Sequence, residues 1–122
     1  MSDTFGITPD GFLSVGGTIY RNSKTFSKDY NDPLGELAIR RGRVLLDNGW
    51  AVSVIWGTYA KCENFLTAGA ELNEAPTTCE VALFDTSPKG GGFVIDKSQI
   101  LGNATTQQVN ELIVLGSLLA ES

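Results

Sequence analysis

The side chains of this sequence that are best suited to chemistry are clustered cations. Three of its four arginines, Arg40, Arg41 and Arg43, fall within four residues. A guanidinium group presents a planar fork of donors that binds phosphate or carboxylate through two parallel hydrogen bonds. The cluster could therefore hold a local anion. Alternatively, it could form a solvated helix face on which Arg40 and Arg43 pair with Glu36 and Asp47.

A second candidate group follows a short apolar run, where Trp56, Tyr59 and Lys61 lie within six residues. Aromatic rings beside a lysine can stack on a nucleobase and contact an anion. The alternative is that Trp56 closes the core and Tyr59 packs a loop. Taken with the arginines, the group supplies charge for a phosphate and rings for a base, so we predict a ligand-binding site at these six residues: Arg40, Arg41, Arg43, Trp56, Tyr59 and Lys61.

Enzyme chemistry has little support in the composition. The chain contains no histidine, which removes the most common general base and most zinc sites. Its two cysteines, Cys62 and Cys79, have no neighbouring base, and we expect both to be free thiols, although a disulfide between them is geometrically possible. The Lys89-Gly90-Gly91-Gly92 run has its lysine before the glycines and a strand pattern after them, unlike a phosphate-binding loop. We therefore expect no enzyme activity, cofactor or metal.

The arginine cluster falls within a predicted helix over about 33–48. Asp32 is a favourable N-cap, Pro33 fits the first helical position and Gly49 ends the pattern. A spacing of 3.6 residues places Arg41 on the apolar face, where a charged side chain needs a partner or a ligand. Gly42 disfavours a helix interior, which indicates a close approach to the backbone there.

Most of the remaining chain has the pattern of strands. The first twenty residues predict hairpins with turns at residues 8–11 and 16–17, and residues 21–31 predict a polar loop. Alternation predicts a strand over 50–56, and residues 78–86 and 92–96 predict a hairpin. Residues 57–77 form a long segment whose length is typical of a functional or partly helical loop.

A second helix is predicted over about 106–120, opened by a capping box of Thr105 and Gln108. Its first apolar face contains Val109, Ile113 and Gly116. Further aliphatic residues extend round the helix, more than a two-layer domain can bury. We therefore predict a homo-oligomer, at least a dimer, with an interface that includes Val114, Leu115 and Leu118.

Length and charge limit the remaining possibilities. The 122 residues, 42% of them apolar, predict one domain over 1–122 with an α+β fold: a mostly antiparallel sheet of five to six strands with both helices packed on one face. The net charge of −5 disfavours duplex nucleic acid and anionic membranes as partners. The first three residues do not resemble a secretory signal, so we expect a cytoplasmic protein.

The chain also resembles a known class of proteins. The Gly-Trp pair at 49–50, the strand pattern at 52–59 and Cys-Glu-Val-Ala-Leu-Phe-Asp at 79–85 precede a glycine-rich turn and a terminal helix opened by Thr-Thr-Gln-Gln-Val-Asn at 105–110. This order over roughly residues 49–120 resembles short uncharacterised proteins encoded by bacteriophages. The resemblance implies a phage accessory protein that acts in the bacterial cytoplasm and neutralises a host component. It implies no functional residue.

Two functions follow as expectations. The first is a non-enzymatic anti-defence protein that sequesters a small anionic ligand such as a nucleotide signal. The second is an acidic inhibitor that binds a host protein. A concave pocket that holds Arg41 with Trp56 or Tyr59 would favour the first function, and a flat acidic face would favour the second.

Overall fold

The computed structural model describes residues 3–32, 35–63, 72–85 and 100–119, which form strands and one helix in an α+β arrangement. The strands are β1 Phe5–Ile7, β2 Leu13–Val15, β3 Thr18–Tyr20, β4 Ser23–Asp32, β5 Gly35–Leu45, β6 Trp50–Gly57, β7 Thr78–Asp85 and β8 Leu101–Thr105. The helix, α1, comprises Thr106–Ser117.

The strands form two antiparallel sheets in which each strand pairs with its neighbours in sequence. The smaller sheet has the order β1-β2-β3, and the larger has the order β4-β5-β6-β7-β8. The mostly antiparallel α+β prediction is confirmed. The predicted details are wrong, because the described residues form eight strands in two sheets and a single helix.

The helix predicted over 33–48 is wrong, since Gly35–Leu45 is strand β5. This strand pairs on one side with β4 and on the other with β6, so its backbone groups are satisfied by the sheet. Its burial follows a period of two: Arg40, Gly42 and Val44 are buried, and Arg41 and Leu45 are exposed. Arg41 is therefore not on a buried apolar face, and residues four apart along a strand are too distant to form the ion pairs expected on a helix.

The polar segment 21–31, predicted as a loop, contains most of strand β4. Among the described strands, β4 is an edge of the larger sheet and pairs there with β5 alone. Edge strands of natural proteins commonly contain charged residues, which discourage pairing with other chains. The polar composition of this segment therefore reflects its position at the edge of the sheet.

The other strand predictions differ in outcome. The first three strands and the strand over 50–56 are confirmed. The predicted hairpin of 78–86 with 92–96 is confirmed only for its first strand, since residues 86–99 lie outside the described residues. Within the described part, β7 pairs with β6 and with β8.

The core lies between one face of the larger sheet and a layer made of α1 and the smaller sheet. A methyl group added at Gly42 would lie 2.6 Å from Leu13 Cδ1, and one added at Gly116 would lie 3.3 Å from Leu83 Cδ1. These glycines allow β2 and α1, respectively, to approach the sheet closely. The close approach predicted at Gly42 is therefore confirmed, although in a strand.

Helix α1 begins with the predicted capping box: the Thr105 side chain accepts a hydrogen bond from the Gln108 amide, and the Gln108 side chain accepts one from the Thr105 amide. Val109, Ile113 and Gly116 are buried against the sheet. Among the described residues, no helix combines the length and the apolar character needed to cross a membrane.

Candidate functional site

The face of the larger sheet opposite the core contains two rows of paired residues: Lys24–Arg43–Ser53–Ala82 and Phe26–Arg41–Ile55–Glu80. Lys28–Ile39–Gly57 and Leu45–Ala51–Phe84 flank them. Because side chains alternate along a strand, these rows project away from Leu13, Val52 and the other core residues. We call this surface, defined by these four rows, the outer face.

Each outer-face arginine stacks on a phenylalanine. The Arg41 guanidinium carbon lies 5.2 Å from the centre of the Phe26 ring, and that of Arg43 lies 5.1 Å from the centre of the Phe84 ring. Both distances are within the range of attractive cation–π contacts. Stacking holds the flat guanidinium groups against the sheet, which reduces the side-chain entropy that a ligand would otherwise have to remove.

Small residues on β6 make the second stack possible. Arg43 lies on β5 and Phe84 on β7, so the arginine side chain has to cross β6. The outer-face residues of β6 at this level are Ala51 and Ser53, which are both buried. Larger side chains at these two positions would occupy the path of the Arg43 side chain.

The charge of the outer face is opposite to that of the whole chain. Its four rows contain Lys24, Lys28, Arg41 and Arg43, with Glu80 as their only carboxylate. Within the described ranges, neither Arg41 nor Arg43 forms an ion pair with a carboxylate. The guanidinium donors that point away from the rings are therefore available to a ligand.

Arg40 lies on the other side of β5 and is the arginine that is buried and paired. Its Nε and Nη2 donate to the two carboxylate oxygens of Glu74 at 3.1 and 2.7 Å, and its Nη1 donates to Asp29 Oδ1 at 2.9 Å. Burial lowers the pKa of Arg40, but hydrogen bonds and charges from Glu74 and Asp29 outweigh it and raise the pKa above its ordinary value. Arg40 therefore connects β4, β5 and the segment before β7, and its charge is already neutralised.

Trp56 is in the core, with 1% of its surface exposed. It is paired across strands with Arg40, and its ring centroid lies 6.2 Å from that of Phe5. Among the described residues, the indole Nε1 has no hydrogen-bond partner. Trp56 therefore cannot stack on a ligand that binds the outer face.

Tyr59 and Lys61 lie in the turn that follows β6. The turn folds back on β5, where the Thr58 amide donates to the Ala38 carbonyl at 2.8 Å and the Ala38 amide donates to Thr58 Oγ1 at 2.9 Å. Tyr59 is exposed with a positive φ of 65°, and the Lys61 carbonyl accepts a hydrogen bond from the Asn103 amide. Both residues are thus at the end of the sheet, beyond the rows that carry the arginines.

The structure therefore divides the six predicted site residues into three groups. Arg41 and Arg43 lie on the outer face, Arg40 and Trp56 lie on the core side of the sheet, and Tyr59 and Lys61 lie in the turn at its end. Only Arg41 and Arg43 are together on the outer face. Sequence reasoning missed Lys24, Phe26 and Phe84, which complete that surface. The alternation of Lys24, Phe26 and Lys28, matched by that of Arg41 and Arg43, is the signal of period two that could have identified them.

Two concave surfaces of the described part lie beside α1. One groove of about 890 Å³ runs between the helix and the turn after β2, and its lining includes Asp3, Gly16, Glu111, Val114 and Leu115. Its charged residues are carboxylates, which repel anions. A pocket that joins Arg41 to Trp56, which would have favoured the first function, does not form in the described residues, since the two side chains are on opposite faces.

Cys62 and Cys79 form no disulfide, as predicted, and both are buried. Burial, with smaller contributions from Cys62 and Glu80, raises the pKa of Cys79 well above that of an ordinary thiol. Such a thiol stays protonated and is a poor nucleophile. In the described ranges, no three cysteine, aspartate or glutamate residues are grouped to hold a metal ion.

Comparison with known proteins adds no relative: no family model, curated protein or solved structure matches this chain.

Proposed function

We propose that this protein is a non-enzymatic binding protein that captures a nucleotide ligand on the outer face. Arg41 and Arg43 bind the phosphate, and the stacked guanidinium and phenyl groups provide flat surfaces for the base. The observation that carries the proposal is the pair of arginines stacked on Phe26 and Phe84 without a carboxylate partner in the described ranges. Guanidinium planes and aromatic rings are the surfaces on which proteins stack unpaired bases.

The difference between Arg40 and its neighbours supports this assignment. A buried arginine in a stable protein is neutralised, as Arg40 is by Glu74 and Asp29. Arg41 and Arg43 have no such partners in the part of the chain that the structure describes, although the sequence has an excess of acidic residues. Two unpaired cations placed side by side on a negatively charged protein are the arrangement expected where an external anion completes the pairing.

We further propose that capture is itself the function. The chain contains no histidine, the side chain that most often transfers protons in catalysis, which supports binding without a chemical step. A phage accessory protein that sequesters a nucleotide signal in the bacterial cytoplasm, and so blocks a host defence, would need only this binding.

Substitution of one outer-face arginine tests the proposal. Arg41→Ala should weaken the binding of a phosphate-containing nucleotide at least tenfold, because a charged bidentate contact is worth about 1.5–3 kcal/mol. A panel of nucleoside mono-, di- and triphosphates would be titrated by calorimetry, and circular dichroism would verify the fold.

Arg21→Ala is the matched control. Arg21 is exposed and also stacks on a phenylalanine, with its guanidinium carbon 5.7 Å from the centre of the Phe12 ring, but it lies outside the outer face. Its loss should leave affinity nearly unchanged. Equal effects of the two substitutions would show that only total charge matters and would contradict the proposed site.

We also propose that the protein self-associates through α1. Val114, Leu115 and Leu118 have 59, 62 and 76% of their surface exposed, so the helix presents a second aliphatic stripe to solvent. A second copy of the chain could cover this stripe with the same residues, which is the simplest closed arrangement. Because the stripe belongs to α1 and the arginines to β5, the dimer and the ligand site are separate surfaces.

A host protein is the second candidate partner. The observation that favours it is the groove beside the same stripe, where exposed aliphatic residues adjoin Asp3 and Glu111. An inhibitor that uses this groove would leave the outer-face arginines without a role. A wild-type protein that binds no nucleotide in the titration above would favour this second function.

A further inference from the structure

We propose that the ligand of the outer face is a short single-stranded oligonucleotide and not a single nucleotide. This inference rests on the proposed function, since it specifies what the arginines bind. It depends on how the cations and rings are distributed over the strands of the larger sheet.

Three cations of the outer face lie in two adjacent rows of paired residues. Arg41 and Arg43 are two residues apart on β5, and Lys24 on β4 is directly opposite Arg43. Residues two apart on a strand are separated by roughly 6.8 Å, and directly opposed side chains by about 5 Å. A nucleoside monophosphate has a single phosphate, which can bind in one row and leaves the cation of the other row unpaired. A chain with a phosphate at each sugar can contact both rows.

The aromatic rings extend across the strands. Phe26 is on the edge strand β4 and Phe84 is on β7, three strands further into the sheet, and each is stacked by an arginine of β5. The outer face therefore offers two separate stacking positions. One base can use only one of them, whereas successive bases of a flexible strand can use both.

Duplex nucleic acid fits this surface less well. The bases of a duplex are paired and stacked on each other, so their faces cannot reach Phe26 or the guanidinium planes. The net charge of −5 adds a long-range repulsion that grows with the charge density of the ligand. A single strand has a lower charge density and bases that are free to stack, so the proposal commits to single strands.

Competition in a fluorescence anisotropy assay tests this inference. The probe is fluorescein-labelled dT10, and the competitors are ATP, dT2, dT4, unlabelled dT10 and a ten-base-pair duplex. We expect affinity to rise from dT2 to dT10 and to exceed that of ATP by at least tenfold, with the duplex weaker than dT10. The salt dependence of dT10 binding should have a slope near −2, because three cations release about 0.7 counterion each from a single strand.

Variants place the binding on the outer face. Arg41→Ala and Lys24→Ala should each reduce the salt slope by about 0.7, and Phe26→Leu, which keeps an apolar side chain but removes the aromatic ring, should weaken dT10 binding without changing the slope. Arg21→Ala should change neither quantity.

The outcomes separate this inference from the function on which it rests. If ATP competes as well as dT10, the face binds mononucleotides, so the proposed function stands and the oligonucleotide inference is overturned. A duplex that competes as strongly as dT10 would exclude base stacking and would also overturn the inference. If neither dT10 nor any nucleotide binds, both are wrong.

Discussion

Adjacent arginines on β5 have different environments because successive residues of a strand face opposite sides of a sheet. Arg40 projects toward the core side, and its Nε and both terminal nitrogens donate to Glu74 and Asp29. Arg41 projects to the outer face and stacks on Phe26. Arg40 and Arg41 are thus adjacent in sequence, but Arg40 belongs to an ion-pair cluster and Arg41 belongs to the proposed ligand site.

The role of Arg40 predicts a loss of stability when its main partner is removed. Glu74→Ala should lower the free energy of unfolding by about 1–2 kcal/mol, since the arginine side chain is buried but the carboxylate is largely exposed and screened. Urea denaturation measures this change, and nucleotide affinity should stay the same. Glu111→Ala, on the exposed side of α1, is the control and should have almost no effect. If Glu74→Ala and Glu111→Ala have the same free energy of unfolding, the pairing of Arg40 with Glu74 does not stabilise the fold.

The raised pKa of Cys79 predicts how the free energy of unfolding changes in alkaline solution. Burial raises the pKa of Cys79, so the folded protein keeps the thiol proton at a pH where the unfolded chain, with an ordinary thiol pKa of about 8.5, loses it. The contribution of Cys79 is therefore complete below pH 8 and declines by roughly 1.4 kcal/mol per pH unit above about pH 9.

Urea denaturation of the wild-type protein and Cys79→Ala between pH 7 and pH 10 measures this effect. The stability difference between the two proteins should shrink as the pH rises. A difference that is constant over this range would mean that Cys79 titrates normally in the folded state.

At the scale of elements, Gly42 determines how closely the two sheets pack. Gly42→Ala would place a methyl group 2.6 Å from Leu13 Cδ1 in the core, so the smaller sheet would have to shift. We expect a loss of about 1–3 kcal/mol in the free energy of unfolding, as is typical of an overpacked core. Gly6→Ala is the control, because a methyl group there would meet nothing within 4 Å. A thermal unfolding experiment in which both variants match the wild type would contradict this view of the interface.

The sequence predicts elements correctly where local signals agree with tertiary packing. β6 has strongly apolar residues at alternate positions, and α1 begins at a capping box, so the sequence predicts both elements. The sequence does not predict β5 as a strand, because its core-side residues include Arg40 and Gly42 while Ile39 and Leu45 lie on the outer face. This distribution hides the period of two, and the Asp32-Pro33 pair imitates a helix start. Pairing with β4 and β6 overrides these local signals.

The candidate site was predictable only in part for the same reason. The clustering of Arg41 and Arg43 is visible in the sequence, but their aromatic partners are distant in sequence. Phe26 becomes a neighbour of Arg41 only when β4 pairs with β5, and Phe84 reaches Arg43 only across β6. Trp56, which is close in sequence, is separated from them by the thickness of the sheet.

At the scale of the whole molecule, charge and apolar surface are unevenly distributed. The chain has a net charge of −5, yet the outer face has four cations and one carboxylate in its four rows. The exposed aliphatic stripe is on α1, which packs on the other face of the sheet. This arrangement allows a dimer to form through α1 while the outer faces of both copies remain accessible.

The dimer makes a separate prediction. Leu115→Glu combined with Leu118→Glu should convert the protein to a 13 kDa monomer, because two charges would be buried in the interface. Ile19→Glu is the control, since Ile19 is an exposed aliphatic residue of β3 away from the stripe. Light scattering at micromolar concentration measures the mass. A wild-type protein that is already a monomer would exclude self-association through α1.

The most direct test of the central claim, that the outer face binds the ligand, is a map of backbone amide chemical shifts by NMR during titration with dT10. We predict that the largest changes occur on β4, β5 and β6 around Phe26, Arg41, Arg43 and Ile55, and that Arg41→Ala reduces these changes at the same concentration of dT10. Changes confined to the groove beside α1 or to the turn at Tyr59 and Lys61, with the outer face unaffected, would contradict the account.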